Sequence, residues 1–271
     1  LGVAGNFAGH LEQAGEASDF VDVHEEDENA PKGVFPFYVP GQGEHFLHQQ
    51  PVSSERVRLL PGGENHQAEP EVALLCDLDY EEGKVVAIHP RRAFAHNDCS
   101  IRRPGARKIS EKKNWGAETK GTAAEGIELD HFGPGGVLDR YRLASFLVRN
   151  GEVHEYGQDS EVASYSYFHD QRLGWLVEKL SGQEDGGPLE DLPGWIETAG
   201  HPEQALISIG ATRYTDYGET TFLEPGDEVV VVLYDGTAQP AIDPRAIAAG
   251  DGDDVGPGRS VLRQRAVLAE G

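Results

Sequence analysis

Two apolar, strand-like runs separated by a turn constrain the fold of this chain more than any other stretch. Residues 72–78 and 84–88 form the runs, and Glu81-Glu82-Gly83 forms the turn between them. A chain that turns back in this way brings residues before the first run and residues after the second to the same end of a sheet. The sequence therefore predicts that the acidic side chains flanking these runs lie close together.

The flanking acids are Glu69 and Glu71 on one side and Asp98 on the other. Glu69 and Glu71 are two residues apart, so at the start of a strand they project from one face, with Pro70 pointing away. Like charges on one face repel unless a positive group lies between them, and a hard divalent cation with oxygen ligands is the usual solution. Because thiolates and a histidine pair are lacking here, Mg²⁺ or Mn²⁺ is the expected type. The alternative is chance, since 47 of the 271 residues are Asp or Glu.

Further motifs follow these acids in a recognisable order. In chain order they are Gly5-Asn6-Phe7-Ala8-Gly9-His10, Glu69-Pro70-Glu71, Asn97-Asp98-Cys99-Ser100-Ile101-Arg102, Trp115 with Lys120, Ile209-Gly210-Ala211-Thr212, and Phe222-Leu223-Glu224-Pro225-Gly226-Asp227. This order resembles the fumarylacetoacetate hydrolase superfamily. Its pattern is Gly-x-Asn-Tyr-x-x-His, Glu-x-Glu, an Asp followed by x-x-x-Arg, a Lys loop, Gly-Thr-Pro and Leu-x-Pro-Gly-Asp. The resemblance covers most of residues 1–235.

The resemblance implies a role for each matching residue. Glu69, Glu71 and Asp98 would be the metal ligands, and Lys120 would be a catalytic cation facing the substrate. His10 would be the catalytic base that activates water or moves a proton.

Three further residues are candidates for substrate binding. The resemblance places Arg102 near the site, and Thr212 and Arg213 offer a hydroxyl and a cation, although both also suit a turn. The chain departs from the family pattern where Gln13 stands at the position of an expected Glu. Without a carboxylate on its far nitrogen, His10 would be a poorly oriented and weaker base.

Strands dominate the pattern, with one clear helix over residues 162–180, so the predicted class is α+β. The resemblance sharpens this prediction to a mixed β-sheet roll with few helices, commonly a homodimer. We predict a catalytic domain over residues 1–236, with an acidic loop at residues 19–29 that is either a lid or a plain surface loop. After residue 236 the composition shifts to Ala, Gly, Pro and Asp, which predicts a loose extension over residues 237–271.

Charge and cysteine content restrict the partners and the setting. The formal net charge of −24 argues against nucleic acid or an anionic membrane as partner, because both would be repelled. No apolar run approaches the length of a membrane span and no leader is visible, which favours the cytoplasm. Acids scattered through the whole chain indicate a halophilic protein adapted to high salt. Cys76 and Cys99 are expected to be free and reduced.

The predicted function is that of a divalent-metal-dependent enzyme acting on a small oxo-carboxylic acid. A metal-stabilised enolate would serve carbon–carbon hydrolysis, decarboxylation or tautomerisation alike. Four of the seven lysines lie between residues 108 and 120, which indicates capture of an anionic substrate or, equally, a solvated basic loop. The alternative function is a non-catalytic metal- or ligand-binding protein of the same fold.

Overall fold

The structure of this chain, a computed structural model, describes residues 1–7, 9–16, 20, 23, 27, 29–103 and 105–269. Strands dominate it. They are β1 (Gly2–Ala4), β2 (Gly33–Phe35), β3 (Val52–Ser53), β4 (Arg56–Leu59), β5 (His66–Gln67), β6 (Pro70–Glu81), β7 (Lys84–Asn97), β8 (Ser100–Ile101), β9 (Lys120–Thr122), β10 (Ile127–Glu128), β11 (Tyr141–Arg149), β12 (Glu152–Glu161), β13 (Gln204–Ser208), β14 (Glu228–Asp235) and β15 (Arg259–Leu268). The helices are short, with one exception: α1 (His10–Gln13), α2 (Ser110–Lys113), α3 (His169–Gly182), α4 (Leu192–Thr198), α5 (Asp216–Thr220) and α6 (Pro244–Ala249).

Within the described residues the strands form two mixed sheets and a short ribbon. The larger, eight-stranded sheet has the order β2-β1-β13-β6-β7-β9-β3, with β10 also paired to β7. The second sheet has the order β12-β11-β14-β15-β4, and the ribbon pairs β5 with β8. Strands β14 and β15 pack against β7, so the two sheets face each other across the main hydrophobic core. This confirms the predicted class of mixed, curled sheets.

The longest hairpin, β6 with β7, forms the centre of the larger sheet. Its register pairs Pro70 with Asn97 and Glu71 with His96, so the start of β6 and the end of β7 meet. On the other side of β6, β13 runs antiparallel to it, and β1 joins β13 in parallel. The chain leaves β1 directly into α1, which brings His10 to the same end of the sheet as the hairpin's acids.

Helix α3 begins later than the periodicity predicted. Residues 162–164 form a 3₁₀ turn, and the helix starts only at His169. The reason is that the intervening segment is bonded to Asn6 instead of to itself. The Asn6 carbonyl accepts from the Ser166 N–H, and the Asn6 side chain accepts from the Tyr167 N–H. These bonds hold the segment extended and bury its aromatic rings.

In the segment predicted as a loose extension, residues 237–271, the structure describes two regular elements, α6 and β15. Strand β15 lies between β14 and β4, antiparallel to the first and parallel to the second. Leu262, Gln264 and Ala266 alternate along its buried face, which is the period of a half-buried strand. Helix α6 packs against β11 and β14. The Gly- and Asp-rich composition that suggested disorder is confined to the turns between these elements.

Other sequence predictions have mixed outcomes. Cys76 and Cys99 are buried and free, as expected. Most of the predicted acidic lid, namely residues 19, 21, 22, 24–26 and 28, lies outside the described residues, so the lid stays a prediction. No helix in the described ranges is long and apolar enough to cross a membrane.

The basic run at residues 108–113 is neither a solvated loop nor a free patch, because its second half forms the buried helix α2. Ile109 packs into a cluster with Phe35 and Phe37, and the Lys112 and Lys113 side chains are buried. Glu190 accepts a hydrogen bond from the Ser110 N–H at 3.3 Å. On the other side, the Asn114 side chain donates to the carbonyl groups of Phe37 and Gln49. Helix α2 is therefore fixed at both ends.

A first prediction concerns Gln264, whose side chain links β15 to the functional end of the hairpin. It accepts from Asn97 Nδ2 at 2.9 Å and donates to the Arg56 carbonyl at 2.7 Å. Gln264→Leu leaves these buried groups unpaired, so we expect the free energy of unfolding to fall by about 2–4 kcal/mol. Urea denaturation measures it. The neighbouring exposed Arg265→Gln is the control, and equal stability of the two variants would contradict the role given to Gln264.

A second prediction concerns Glu190. Burial raises the pKa of its carboxyl from 4.5 to about 7, against the opposing hydrogen bond from Ser110. The folded state then holds a proton that the unfolded state has released, so stability falls as pH rises from 4.5 to 7 and stays low above that. Glu190→Gln removes the penalty and keeps an acceptor for Ser110. We expect stabilisation of about 3 kcal/mol at pH 8 that vanishes near pH 4.5.

Thermal unfolding across this pH range tests the expectation for Glu190. The exposed Glu184→Gln is the control for removal of one acidic charge. A stabilisation by Glu190→Gln that does not change with pH would contradict the assignment.

Candidate metal centre

The hairpin register brings three buried carboxylates together. The Asp98 N–H donates to the Glu69 carbonyl at 2.9 Å, and Asn97 Oδ1 accepts from the Glu69 N–H at 3.0 Å. These bonds fix the start of β6 beside the end of β7. As a result, Glu69, Glu71 and Asp98 each offer a carboxylate oxygen, and the three oxygens lie within 4.8 Å of one another. Their role as metal ligands stays a prediction.

The ammonium group of Lys113 lies between two of these carboxylates. Its Nζ is 2.7 Å from Glu69 Oε2 and 2.6 Å from Asp98 Oδ2. It also donates to the Asp98 carbonyl at 3.3 Å and lies over the Phe35 ring. The repulsion expected between neighbouring acids is thus relieved in this state by a lysine from α2.

Lys120 contacts the same cluster from β9. Its Nζ is 3.0 Å from Asp98 Oδ1, it donates to the Cys99 carbonyl, and it lies 5.6 Å from the centre of the Trp115 ring. Lys120 is fully buried. Two residues that the sequence predicted to belong to the site, Asp98 and Lys120, are therefore in direct contact.

The guanidinium group of Arg102 contacts four neighbouring side chains. Its guanidinium bonds Gln67 Oε1 at 2.7 Å, Glu16 Oε1 at 2.7 Å and the Tyr214 hydroxyl at 3.0 Å. It also pairs with Glu69 Oε1 at 2.8 Å. Each guanidinium nitrogen makes at least one contact with a described residue, so in this state Arg102 braces Glu69.

His10 points into the cluster from α1. Its Nδ1–H donates to the Thr212 carbonyl oxygen at 3.0 Å, and since a carbonyl only accepts, the proton of the neutral ring is assigned to Nδ1. The other nitrogen, Nε2, is 4.0 Å from Glu69 Oε2 and keeps its lone pair. A main-chain carbonyl thus orients His10 where a carboxylate was expected. Gln13 instead bonds the Tyr214 backbone and Glu219.

The loop at residues 209–214 holds several parts of the site with its main chain. Gly210 N–H donates to Glu71 Oε2 at 2.9 Å, with φ of +105° and a Cβ position blocked by Asn6, so glycine is required there. Thr212 is buried and supplies the carbonyl for His10. Arg213 is exposed and lies beside Gly9.

Burial and neighbouring charges shift the pKa values of Glu69 and Glu71 in opposite directions. Burial opposes ionisation of Glu69, but Lys113 and Arg102 outweigh it and hold the pKa of this carboxyl well below its usual range. Burial, helped by the Asp98 charge, raises the pKa of Glu71 well above its usual range. In this state Glu69 is therefore an anion, while Glu71 favours the protonated form.

The basic groups also respond to burial. Burial lowers the pKa of His10, against the attraction of Glu69, so its imidazole is neutral at pH 7. Burial together with the neighbouring Lys113 charge lowers the pKa of Lys120, which Asp98 only partly offsets. A neutral imidazole with a free Nε2 is the form that accepts a proton.

A small cavity lies beside His10 and the carboxylates. Its volume is about 20 Å³, and Phe35, Leu11, Ile109 and Ala211 are among the residues that line it. This is room for about one water molecule. A substrate of several heavy atoms would need the wall formed by α1 and α2 to move.

The donor set fits a hard divalent cation, because it consists of carboxylate oxygens from three residues at nearly suitable separations. The ammonium group of Lys113, which contacts two of the three residues, competes with such an ion. Sequence reasoning singled out Lys113 only as part of a basic run, and it did not predict that Glu16 and Tyr214 hold Arg102. The density of basic residues between Asp98 and Trp115 was the available signal for Lys113, whereas nothing local marks the other two.

Comparison with known proteins agrees with this architecture. The family model described as family of unknown function DUF5718 matches residues 16–265. Among curated proteins no sequence matches the chain. A solved structure of Cg1458 with inhibitor has a TM-score of 0.55 at 14% identity, with 99% of this chain and 76% of that chain covered. The 5-carboxymethyl-2-hydroxymuconate delta-isomerase from Mycobacterium smegmatis has a TM-score of 0.52 at 14% identity, with 100% and 78% covered.

At such identities the likeness concerns the fold, which is the mixed β-roll of the fumarylacetoacetate hydrolase superfamily. The family model covers most of the chain and gives the closer relationship. This protein is a member of the family of unknown function DUF5718, built on the fumarylacetoacetate hydrolase fold and divergent from the solved structures that share it.

Proposed function

We propose that this protein is a divalent-metal-dependent enzyme that acts on a small oxo-carboxylic acid. The observation that carries the proposal is the pairing of a buried three-carboxylate group with a neutral, oriented histidine at one end of the central hairpin. Glu69, Glu71 and Asp98 would hold Mg²⁺ or Mn²⁺. When bound, the ion supplies a Lewis acid for the adjacent carbonyl and carboxylate oxygens of the substrate.

His10 would move the proton. Its Nδ1–H bond to the Thr212 carbonyl fixes the tautomer, so Nε2 is the acceptor aimed toward the carboxylates. Its lowered pKa keeps Nε2 free of a proton at neutral pH. A base held in this way is suited to removing a proton next to a carbonyl or to activating a water molecule.

The basic side chains would stabilise or attract negative charge on the substrate. Lys120 is buried beside Asp98 and is placed to stabilise an enolate as it forms. Arg102, already committed to Glu16 and Glu69, would position Glu69 and contact a substrate only after these bonds rearrange. Thr212 would act through its carbonyl, and exposed Arg213 would attract an anionic substrate to the entrance.

The exact reaction is left open among carbon–carbon hydrolysis, decarboxylation and tautomerisation, since all three pass through an enolate. An isomerase among the similarly folded proteins makes the proton shift a reasonable first assay. We further propose that the protein works in a high-salt cytoplasm, as its net charge of −24 indicates, and as a homodimer.

The second candidate is a non-catalytic metal- or ligand-binding protein of the same fold. Two observations favour it: Gln13 replaces the expected acid near His10, and the cavity of about 20 Å³ is too small for an oxo acid in this state. Metal binding is common to both candidates, whereas proton transfer separates them.

The metal prediction is tested with Glu71→Gln. A glutamine keeps the hydrogen bond from the Gly210 N–H, so the fold is preserved while a ligand charge is removed. We expect Mn²⁺ affinity of the chelator-treated protein in high salt to fall at least about tenfold, measured by calorimetry or by the Mn²⁺ electron paramagnetic resonance signal. Asp79→Asn, at the exposed far end of the same strand, is the control. Unchanged affinity in Glu71→Gln would remove it from the ligand set.

The proton-transfer prediction is tested with His10→Asn. Asparagine retains a donor for the Thr212 carbonyl and lacks the Nε2 base. The assay is deuterium exchange at the carbon next to the carbonyl of pyruvate and oxaloacetate in D₂O with Mn²⁺, followed by NMR. We expect the exchange rate to drop at least about a hundredfold. Catalysed exchange that survives the substitution would exclude His10 as the base, and no exchange in the wild type across an oxo-acid panel would favour the non-catalytic candidate.

A further inference from the structure

We infer that Lys113 is a built-in competitor of the metal, which holds the carboxylate site closed until a divalent cation displaces its ammonium group. The inference rests on the proposed metal site and adds to it a means of regulation. Its basis is the contact of one ammonium with two of the three predicted ligands, at 2.7 Å from Glu69 and 2.6 Å from Asp98.

The ion and the ammonium cannot share these oxygens. Mg²⁺ binds carboxylate oxygen at about 2.0–2.1 Å, closer than the N–H···O contacts of Lys113. An ion held by Glu69 and Asp98 would therefore compete with the Lys113 ammonium for the carboxylate oxygens that it now contacts. Steric exclusion and the repulsion between two cations both require the side chain to leave.

The charge balance of the cluster points the same way. Its described members are four carboxylates and four cationic side chains, which are Glu16, Glu69, Glu71, Asp98, Arg102, Lys112, Lys113 and Lys120. With all four carboxylates ionised, the four cations already balance them. Adding a divalent ion without losing a cation would leave two excess positive charges in a buried, low-dielectric site. Exchange of the ion for Lys113 halves that excess.

Lys113 also belongs to the wall of the small cavity. Ile109 and Lys113, at the two ends of α2, line it together with His10 and Glu16. Withdrawal of Lys113 would therefore both free the ligand oxygens and enlarge the space beside His10. The same motion that admits the metal would admit a substrate.

The first experiment compares Mn²⁺ binding by Lys113→Met and the wild type, both treated with chelator in high salt. Methionine keeps the length and apolar stem of the side chain and removes its charge. We expect Lys113→Met to bind Mn²⁺ on the order of a hundredfold more tightly, because a buried competing charge is gone. Lys112→Met is the matched control, since it removes a buried ammonium one residue away that pairs with Glu16 and not with a predicted ligand.

Each outcome has a separate meaning. Equal affinity in Lys113→Met and the wild type would overturn the competitor role and leave the metal site standing. A similar gain in Lys112→Met would overturn it as well, by showing a general charge effect. If no form binds Mn²⁺, the proposed metal dependence fails together with the inference.

Removal of Lys113 also leaves Glu69 and Asp98 without its charge, so we expect Lys113→Met to depend more on the metal for stability. Lys113→Gln, which offers an amide donor, is the milder second variant. A variant that unfolds at low temperature without Mn²⁺ and is restored by it would support the inference.

A second experiment needs no variant. Amide hydrogen exchange of the wild type, with and without saturating Mn²⁺, should show faster exchange at residues 108–114 when the metal is bound. Helix α3 serves as the internal reference. Metal binding that leaves exchange at residues 108–114 unchanged would overturn the displacement of Lys113.

Discussion

The site depends on the meeting of two strand ends that place acidic side chains in a buried position. The Asp98 N–H to Glu69 carbonyl bond, supported by Asn97, sets the spacing of the acids. Such a group cannot be buried alone, because uncompensated charge in the interior is costly. Three cations from separate elements compensate the charge. Lys113 from α2 contacts both Glu69 and Asp98, Lys120 from β9 contacts Asp98, and Arg102 after β8 contacts Glu69.

The charges of the buried acids and bases compensate each other through direct and indirect contacts. Glu69 and Asp98 contact the cations directly, and Glu16 holds Arg102 and Lys112 from behind. Glu71 stands apart, since its described hydrogen bond comes from the Gly210 backbone and its pKa is raised by burial and by Asp98. In this state, then, the three predicted ligands are not equivalent. Two contact cations directly, and the third favours its neutral form.

The elements that carry this network are far apart in sequence but mechanically connected. Gln264 of β15 bonds Asn97, and Asn97 positions Glu69. Asn114 ties the end of α2 to the segment that follows β2. The segment predicted from composition as a loose extension therefore contributes a structural support of the site through Gln264. The resulting site encloses a cavity of about 20 Å³. Entry of a metal ion and entry of a substrate would therefore both depend on movement of the cavity wall.

The sequence alone determined the local features. The apolar runs at residues 72–78 and 84–88 predicted β6 and the first part of β7, because strand periodicity depends on neighbouring residues. The order of motifs indicated the fold, and the turn between residues 78 and 84 was enough to bring Glu69, Glu71 and Asp98 to one end of a sheet. Only the tertiary structure decided what compensates those acids. Lys113, Glu16 and Tyr214 reach the site from separate elements through packing of α1, α2 and the loop at residues 209–214, and no local pattern encodes such contacts. The sequence also did not reveal the pairing of β15 with β14 and β4, because the strand is stabilised in part by a partner that is distant in the chain.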